Sequence, residues 1–295
     1  MAETKDSKKR TEKNVVKEAP SLVPQKPGKN KQTKRGKDWW KTLVLIVLMC
    51  VWTFISVIAV QYVLALILVK TVGVETLNKP VWTAVFSAVT YILAMALVVF
   101  VPPLIKRKII KQKEGTSRVK KKLSRTETRM ELGLMGLPTW TDIGLSPIGF
   151  IVSLFLAAAL VSMFSVFPWF DAEQAQNVGF SVYMSSGDKI IAFLTLVVMA
   201  PIAEEIIFRG WLYGKMRNAL LHKIPEVWGM VISTFIVSLM FGIVHLQWNV
   251  GVNVFALSVV LCALREITGT IYAGILTHMI KNGVAFFLLY VIGVA

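Results

Sequence analysis

The chain has 295 residues, 55% of them hydrophobic and 17% charged, with a formal net charge of +16 and a mean hydropathy of +0.62. Soluble domains run to about 45–50% apolar residues with glycine counted, so an ordinary soluble globular protein is excluded. Several uncharged runs reach the roughly 20 residues that cross the hydrocarbon layer as a helix.

The basic excess does not indicate nucleic-acid binding. Most of the Lys and Arg fall in 1–41 and 106–129, beside apolar runs, where topology signals or anionic lipid account for them. The two cysteines, Cys50 and Cys262, lie inside apolar runs. They suggest neither a disulfide framework nor a thiolate metal site.

Residues 1–38 are rich in Lys, Pro and polar side chains, too poor in apolar surface to offset the entropy of ordering, and are expected to be a disordered basic tail. A first span is predicted over 43–69, opened by Trp39 and Trp40 at interface level, and a second over 81–105. The loop 106–146 starts strongly basic and ends in an apolar stretch broken by Gly and Pro that suits an interfacial segment.

A third span is predicted over 147–167. The following loop, 168–188, carries Asp171, Glu173 and Asp188 and no Lys or Arg. Basic loops on one side and an acidic one on the other predict a cytoplasmic N-terminus in a multi-pass cell-membrane protein. A fourth span begins near Lys189 and continues as a helix to about residue 218. A fifth is predicted over 227–246, and two shorter apolar pieces follow over 254–264 and 271–294. The expected fold is an all-α transmembrane bundle of 7 or 8 helices, organised as the tail (1–38), two N-terminal helices with a basic cytoplasmic loop (39–129), and a domain over 130–295.

Ionisable groups held at bilayer depth cost several kcal/mol and are functional candidates by default. They fall in three places. In Glu204-Glu205-Ile-Ile-Phe-Arg209, Glu205 and Arg209 share a helical face and can pair, whereas Glu204 points about 100° away. An unpaired carboxylate in a poorly hydrated site suits a general base; two glutamates that merely end the span at the water interface fit the same pattern. In Phe241-Gly-Ile-Val-His245 the aromatic ring and the imidazole are also four apart. The histidine is either catalytic or a hydrogen-bonded structural residue. In His278-Met-Ile-Lys-Asn282 two donors on one face could hold an oxyanion or bond neighbouring helices together. Lys281 lies between them without an assigned role. Tight turns at 219–226 and 265–270 bring Glu204, His245 and His278 to comparable depth, so one buried cavity can collect all three.

These three ordered motifs resemble those of the CAAX-protease and bacteriocin-processing (CPBP, or Abi) family of intramembrane endopeptidases, which includes the Ras-converting CAAX prenyl endopeptidase. The resemblance covers about 130–290, including the Leu-Gly-Leu stretch before Pro138-Thr139-Trp140. It implies an endopeptidase in which Glu204 is the general base and, with His245, activates a water. His278 and Asn282 would stabilise the oxyanion, with Glu205 and Arg209 in support. The family is often described as metalloproteases, and Glu204, His245 and His278 would serve as zinc ligands. A metal-free mechanism is preferred, because no His-Glu-x-x-His pair occurs on one helix. The expected partners are bilayer lipid and a membrane-associated protein or peptide substrate. A non-proteolytic interaction protein, such as a bacteriocin self-immunity factor, is the alternative. A proton-relaying transporter is disfavoured by the lack of an internal repeat.

Overall fold

The computed structural model describes residues 39–104, 129–172, 179–180, 184–221 and 223–293. The basic tail, most of the basic 106–129 loop and Glu173 lie outside them. The described residues form seven helices long and apolar enough to cross a membrane: α1 (Trp39–Val72), α2 (Pro80–Leu104), α3 (Trp140–Phe164), α4 (Ser186–Leu220), α5 (Glu226–Ile243), α6 (Trp248–Thr268) and α7 (Tyr272–Ile292). The chain is a multi-pass membrane protein. Its apolar side chains face outward as a water-soluble bundle could not tolerate: Phe155 on α3 is 75% exposed, and Val47, Leu48, Ile55 and Tyr62 line the open side of α1. Trp39, Trp40, Trp140, Trp228 and Trp248 stand exposed within the first turns of their helices, where amphipathic rings suit the headgroup level.

Helix boundaries follow local chemistry. Thr139 and Asp142 form a reciprocal capping box at the start of α3, which satisfies two otherwise orphaned donors. Ser185 accepts from the Asp188 N–H at the start of α4. Pro80 opens α2, where its missing N–H has no consequence. Gly269 ends α6 with φ 69 in the left-handed region, reached there without a Cβ penalty.

The piece expected over 254–264 is part of a full 21-residue span, Trp248–Thr268, and the one expected over 271–294 is the span Tyr272–Ile292. The polar residues Asn249, Asn253, Arg265 and Glu266 interrupt the hydropathy of α6 in sequence; Asn253 bonds within the helix to the Asn249 carbonyl at 3.1 Å, and tertiary bonds hold Arg265 and Glu266. Arg217 makes a two-bond clamp on Glu266, Nε to Oε1 at 2.7 Å and Nη2 to Oε2 at 3.0 Å, and the Tyr213 hydroxyl donates to the same carboxylate at 2.7 Å. Arg265 donates to the Glu131 carbonyl at 3.1 Å.

Helix α6 packs between α3, α5 and α7, and α1 and α2 pair with each other. Helix α4 runs through the centre: α2 and α7 flank its N-terminal half, and α1 and α5 its C-terminal half. The main core is built on α4, with Phe208, Leu212, Tyr213 and Met216 meeting Val98 and Val99 of α2 and Val237 and Phe241 of α5. Small polar groups join α3 to α7: Thr277 donates to the Ser146 carbonyl at 3.1 Å, and Thr270 to Asp142 at 3.0 Å. Interhelical bonds of this kind bind membrane bundles in which lipid supplies no hydrophobic contrast.

Candidate active site

Helix α4 brings the acidic pair to the middle of the bundle. It is not a uniform α-helix: Leu194–Met199 and Ile206–Tyr213 are π-helical, on either side of Glu204 and Glu205. The first π segment has an identifiable consequence. Ala200 donates to the Thr195 carbonyl, one residue further back than in an α-helix. The next donor in that register would be residue 201, a proline with no N–H, so the Leu196 carbonyl has no backbone partner. The Asn282 side-chain amide on α7 donates to it instead, at 2.9 Å.

Glu205 and Arg209 are fully buried and paired, Nη1 to Oε1 at 2.9 Å. The guanidinium lies 4.3 Å over the Phe241 ring, a cation–π contact strengthened by desolvation. The same Glu205 oxygen accepts from His278 Nδ1 at 3.1 Å. Gly274, one turn before His278 on α7, makes the approach possible: a Cβ there would stand 3.2 Å from Glu205 Oε2.

Glu204 is less deeply covered, with its side chain 17% exposed. Oε1 accepts from the Tyr91 hydroxyl of α2 at 3.0 Å. Oε2 lies 3.8 Å from His278 Nε2, too far for a direct hydrogen bond. His278 therefore stands between the two carboxylates, bonded to one and facing the other.

His245 departs from the sequence expectation in one respect. Helix α5 ends at Ile243, and His245 sits in the four-residue turn to α6 rather than on the helix. Leu246 beside it has φ 55, an uncommon conformation for a residue with a Cβ. The imidazole still meets Phe241, ring centroids 5.0 Å apart and edge to face, and Nδ1 donates to the Phe241 carbonyl at 2.7 Å. That bond fixes the neutral tautomer and leaves the lone pair on Nε2. Burial lowers the imidazole below its ordinary range, partly opposed by the Glu204 carboxylate.

Phe241 also stacks edge to face on His278, at 5.9 Å, so one ring touches Arg209, His245 and His278. The position of the turn is set by backbone contact: a Cβ on Gly242 would lie 2.9 Å from the Gly251 carbonyl oxygen, and one on Gly251 would lie 3.2 Å from that of Gly242. Lys281 follows His278 by three residues on α7, and its charge acts on both Glu204 and His245. Among the described residues it has no ion pair within 4.0 Å.

The structure thus gathers Glu205, Arg209 and His278 into one bonded group, faces Glu204 toward it across 3.8 Å, sets His245 against it through Phe241, and holds Asn282 on the adjoining turn. Sequence reasoning missed Tyr91, Gly274 and the Leu196 carbonyl. A lone tyrosine inside an apolar span was the available signal, since a phenol at that depth needs a polar partner.

Residues 186–284 match the family model described as type II CAAX prenyl endopeptidase Rce1-like. The matched segment contains all three motifs and excludes α1, α2 and α3. No curated protein and no solved structure matched the chain. The zinc set of Glu204, His245 and His278 is not assembled: among the described residues, no three His, Cys, Asp or Glu side chains are arranged to hold a metal ion.

Proposed function

This chain belongs to the CAAX-protease family of intramembrane endopeptidases by its Rce1-like domain, and on that premise we propose that it hydrolyses peptide bonds of membrane-associated proteins or peptides through Glu204 and His245. The observation that carries the reading is the convergence of Glu204, Glu205 and His278 in the centre of an apolar bundle. Two carboxylates and an imidazole have no structural need to meet there, and they lie inside the matched segment.

In the proposed reaction Glu204 takes a proton from water, whose oxygen attacks the scissile carbonyl. His245 orients that water by accepting a hydrogen bond at Nε2, since Nδ1–H is committed to the Phe241 carbonyl. His278 acts through Nε2, because Glu205 holds Nδ1; carrying a second proton, it donates to the developing oxyanion. The Asn282 amide hydrogen not used by Leu196 is the second donor. The tetrahedral adduct collapses as Glu204 passes its proton to the leaving amine, releasing one peptide with a new carboxylate and one with a new amine. Arg209 keeps the Glu205 charge compensated and does not touch the substrate.

The domain carrying this chemistry is assigned to 130–295, and the N-terminus to the cytoplasm. The second assignment is supported by Lys215, Arg217 and Arg265, which fall toward helix ends on the same side as the start of α1.

Mass spectrometry of peptides released from membranes containing the wild-type chain or its Glu204→Ala variant tests the reading. Specific peptides are expected to disappear from the variant while its membrane level stays normal. An unchanged peptide profile refutes the proposed chemistry. Protection of a host against a bacteriocin, retained in that variant, would instead identify a binding protein.

A further inference from the structure

The N-terminal helix pair lies outside the segment that matches the family model, and could be read as an appendage. Its second helix contradicts that. Tyr91 is a polar residue of α2 that reaches the acidic pair, and its hydroxyl donates to Glu204 Oε1 at 3.0 Å across 113 positions of sequence. Helix α2 packs along the N-terminal half of α4 over both its first π segment and the turn that carries Glu204, so the contact belongs to an extended interface.

Glu204 has three rotatable bonds and stands partly open. Without a fixed partner it would sample several rotamers at a cost in ordering entropy. Glu205, its neighbour, is held by Arg209 and His278 and cannot serve as that partner. Tyr91 fills the role from the other side. Oε1 is bonded to the phenol, which leaves Oε2 as the oxygen turned toward His278 Nε2, 3.8 Å away.

We infer that Tyr91 is a positioning residue for the general base, presenting the Glu204 Oε2 lone pair to the reacting water, so that α2 is an integral part of the catalytic unit. The inference rests on the proposed role of Glu204. It assigns Tyr91 no proton transfer and no contact with substrate.

A positioning role makes a specific kinetic claim. Losing it leaves substrate binding unchanged and lowers the fraction of complexes with the base correctly oriented, so kcat falls and KM does not. The Tyr91→Phe variant removes only the hydroxyl and keeps the ring. The assay uses the full-length chain in detergent micelles and a fluorescence-quenched synthetic peptide spanning a cleavage site lost in the Glu204→Ala membranes. The expected result is a kcat decrease of about tenfold, the size of one hydrogen bond to a charged group, with KM within about twofold and a thermal midpoint lowered by no more than about five degrees. Tyr62→Phe, on the exposed face of α1, is the control and is expected to match the wild type.

A Tyr91→Phe variant with wild-type kcat overturns the inference and leaves the Glu204 mechanism intact. A rise in KM at unchanged kcat also overturns it, by making Tyr91 a substrate contact. If no peptide is lost in the Glu204→Ala membranes, the proposed mechanism fails first and the role of Tyr91 falls with it.

Discussion

Replacing Arg209 by Met tests how the acidic pair is kept in the bundle. The guanidinium and the Glu205 carboxylate are both fully buried and 2.9 Å apart, and the cation also lies 4.3 Å over Phe241. Methionine fills much of the same volume and removes the charge. Glu205 then keeps only the His278 bond and becomes a buried, uncompensated carboxylate. Breaking such a pair from one side costs about 3–5 kcal/mol, on the order of ten degrees in thermal midpoint for a chain of this size. Intrinsic tryptophan fluorescence of the full chain in micelles reads that loss. Adding Glu205→Gln removes the stranded charge while keeping an acceptor for His278 Nδ1, so the double variant should recover at least half of the lost stability. The reasoning is refuted if Arg209→Met melts with the wild type, or if the double variant melts below the single one.

Two further outcomes follow from the surroundings of the site. Gly242→Ala forces a Cβ to within 2.9 Å of the Gly251 carbonyl. It should cost about 1–3 kcal/mol through overpacking and lower turnover by roughly 10- to 100-fold by moving the His245 turn; normal turnover would show that the turn tolerates displacement. Asn282→Ala leaves the Leu196 carbonyl without its donor, a loss of about 1–3 kcal/mol. Asn282→Asp should be worse than Ala, because it sets a carboxylate against that carbonyl, and comparison of the two melting curves checks the order.

The seven spans were legible because the hydrocarbon layer imposes a length and a polarity that few other environments demand. The pairing of Glu205 with Arg209 could be anticipated from their four-residue spacing alone. What spacing could not supply was long-range partnership. Glu204 has no partner on its own helix, and its hydrogen bond comes from Tyr91, in a segment whose sequence is otherwise apolar. The end of α5 was also misjudged. Val244, His245 and Leu246 continue the apolar pattern of the helix, and only the tertiary contact between Gly242 and Gly251 explains why the chain turns there. Asn282 illustrates a third limit: its tie to Leu196 depends on a change of helical register that no residue pattern announces.

That change of register has a consequence for how α4 can be altered. A π-helical segment corresponds to one residue inserted into an α-helix, and each α-helical residue turns the helix by about 100°. Deleting a single residue within 194–199 would let the backbone bonds close up into an ordinary α-helix. Six residues at the wider turn sweep about the same angle as five at 100° each, so Glu204 would keep its direction toward His278. The same deletion in an α-helical stretch of α4 would swing Glu204 away by about 100°. The irregular stretches beside the acidic pair therefore take up extra length within the bilayer without turning the carboxylates out of line.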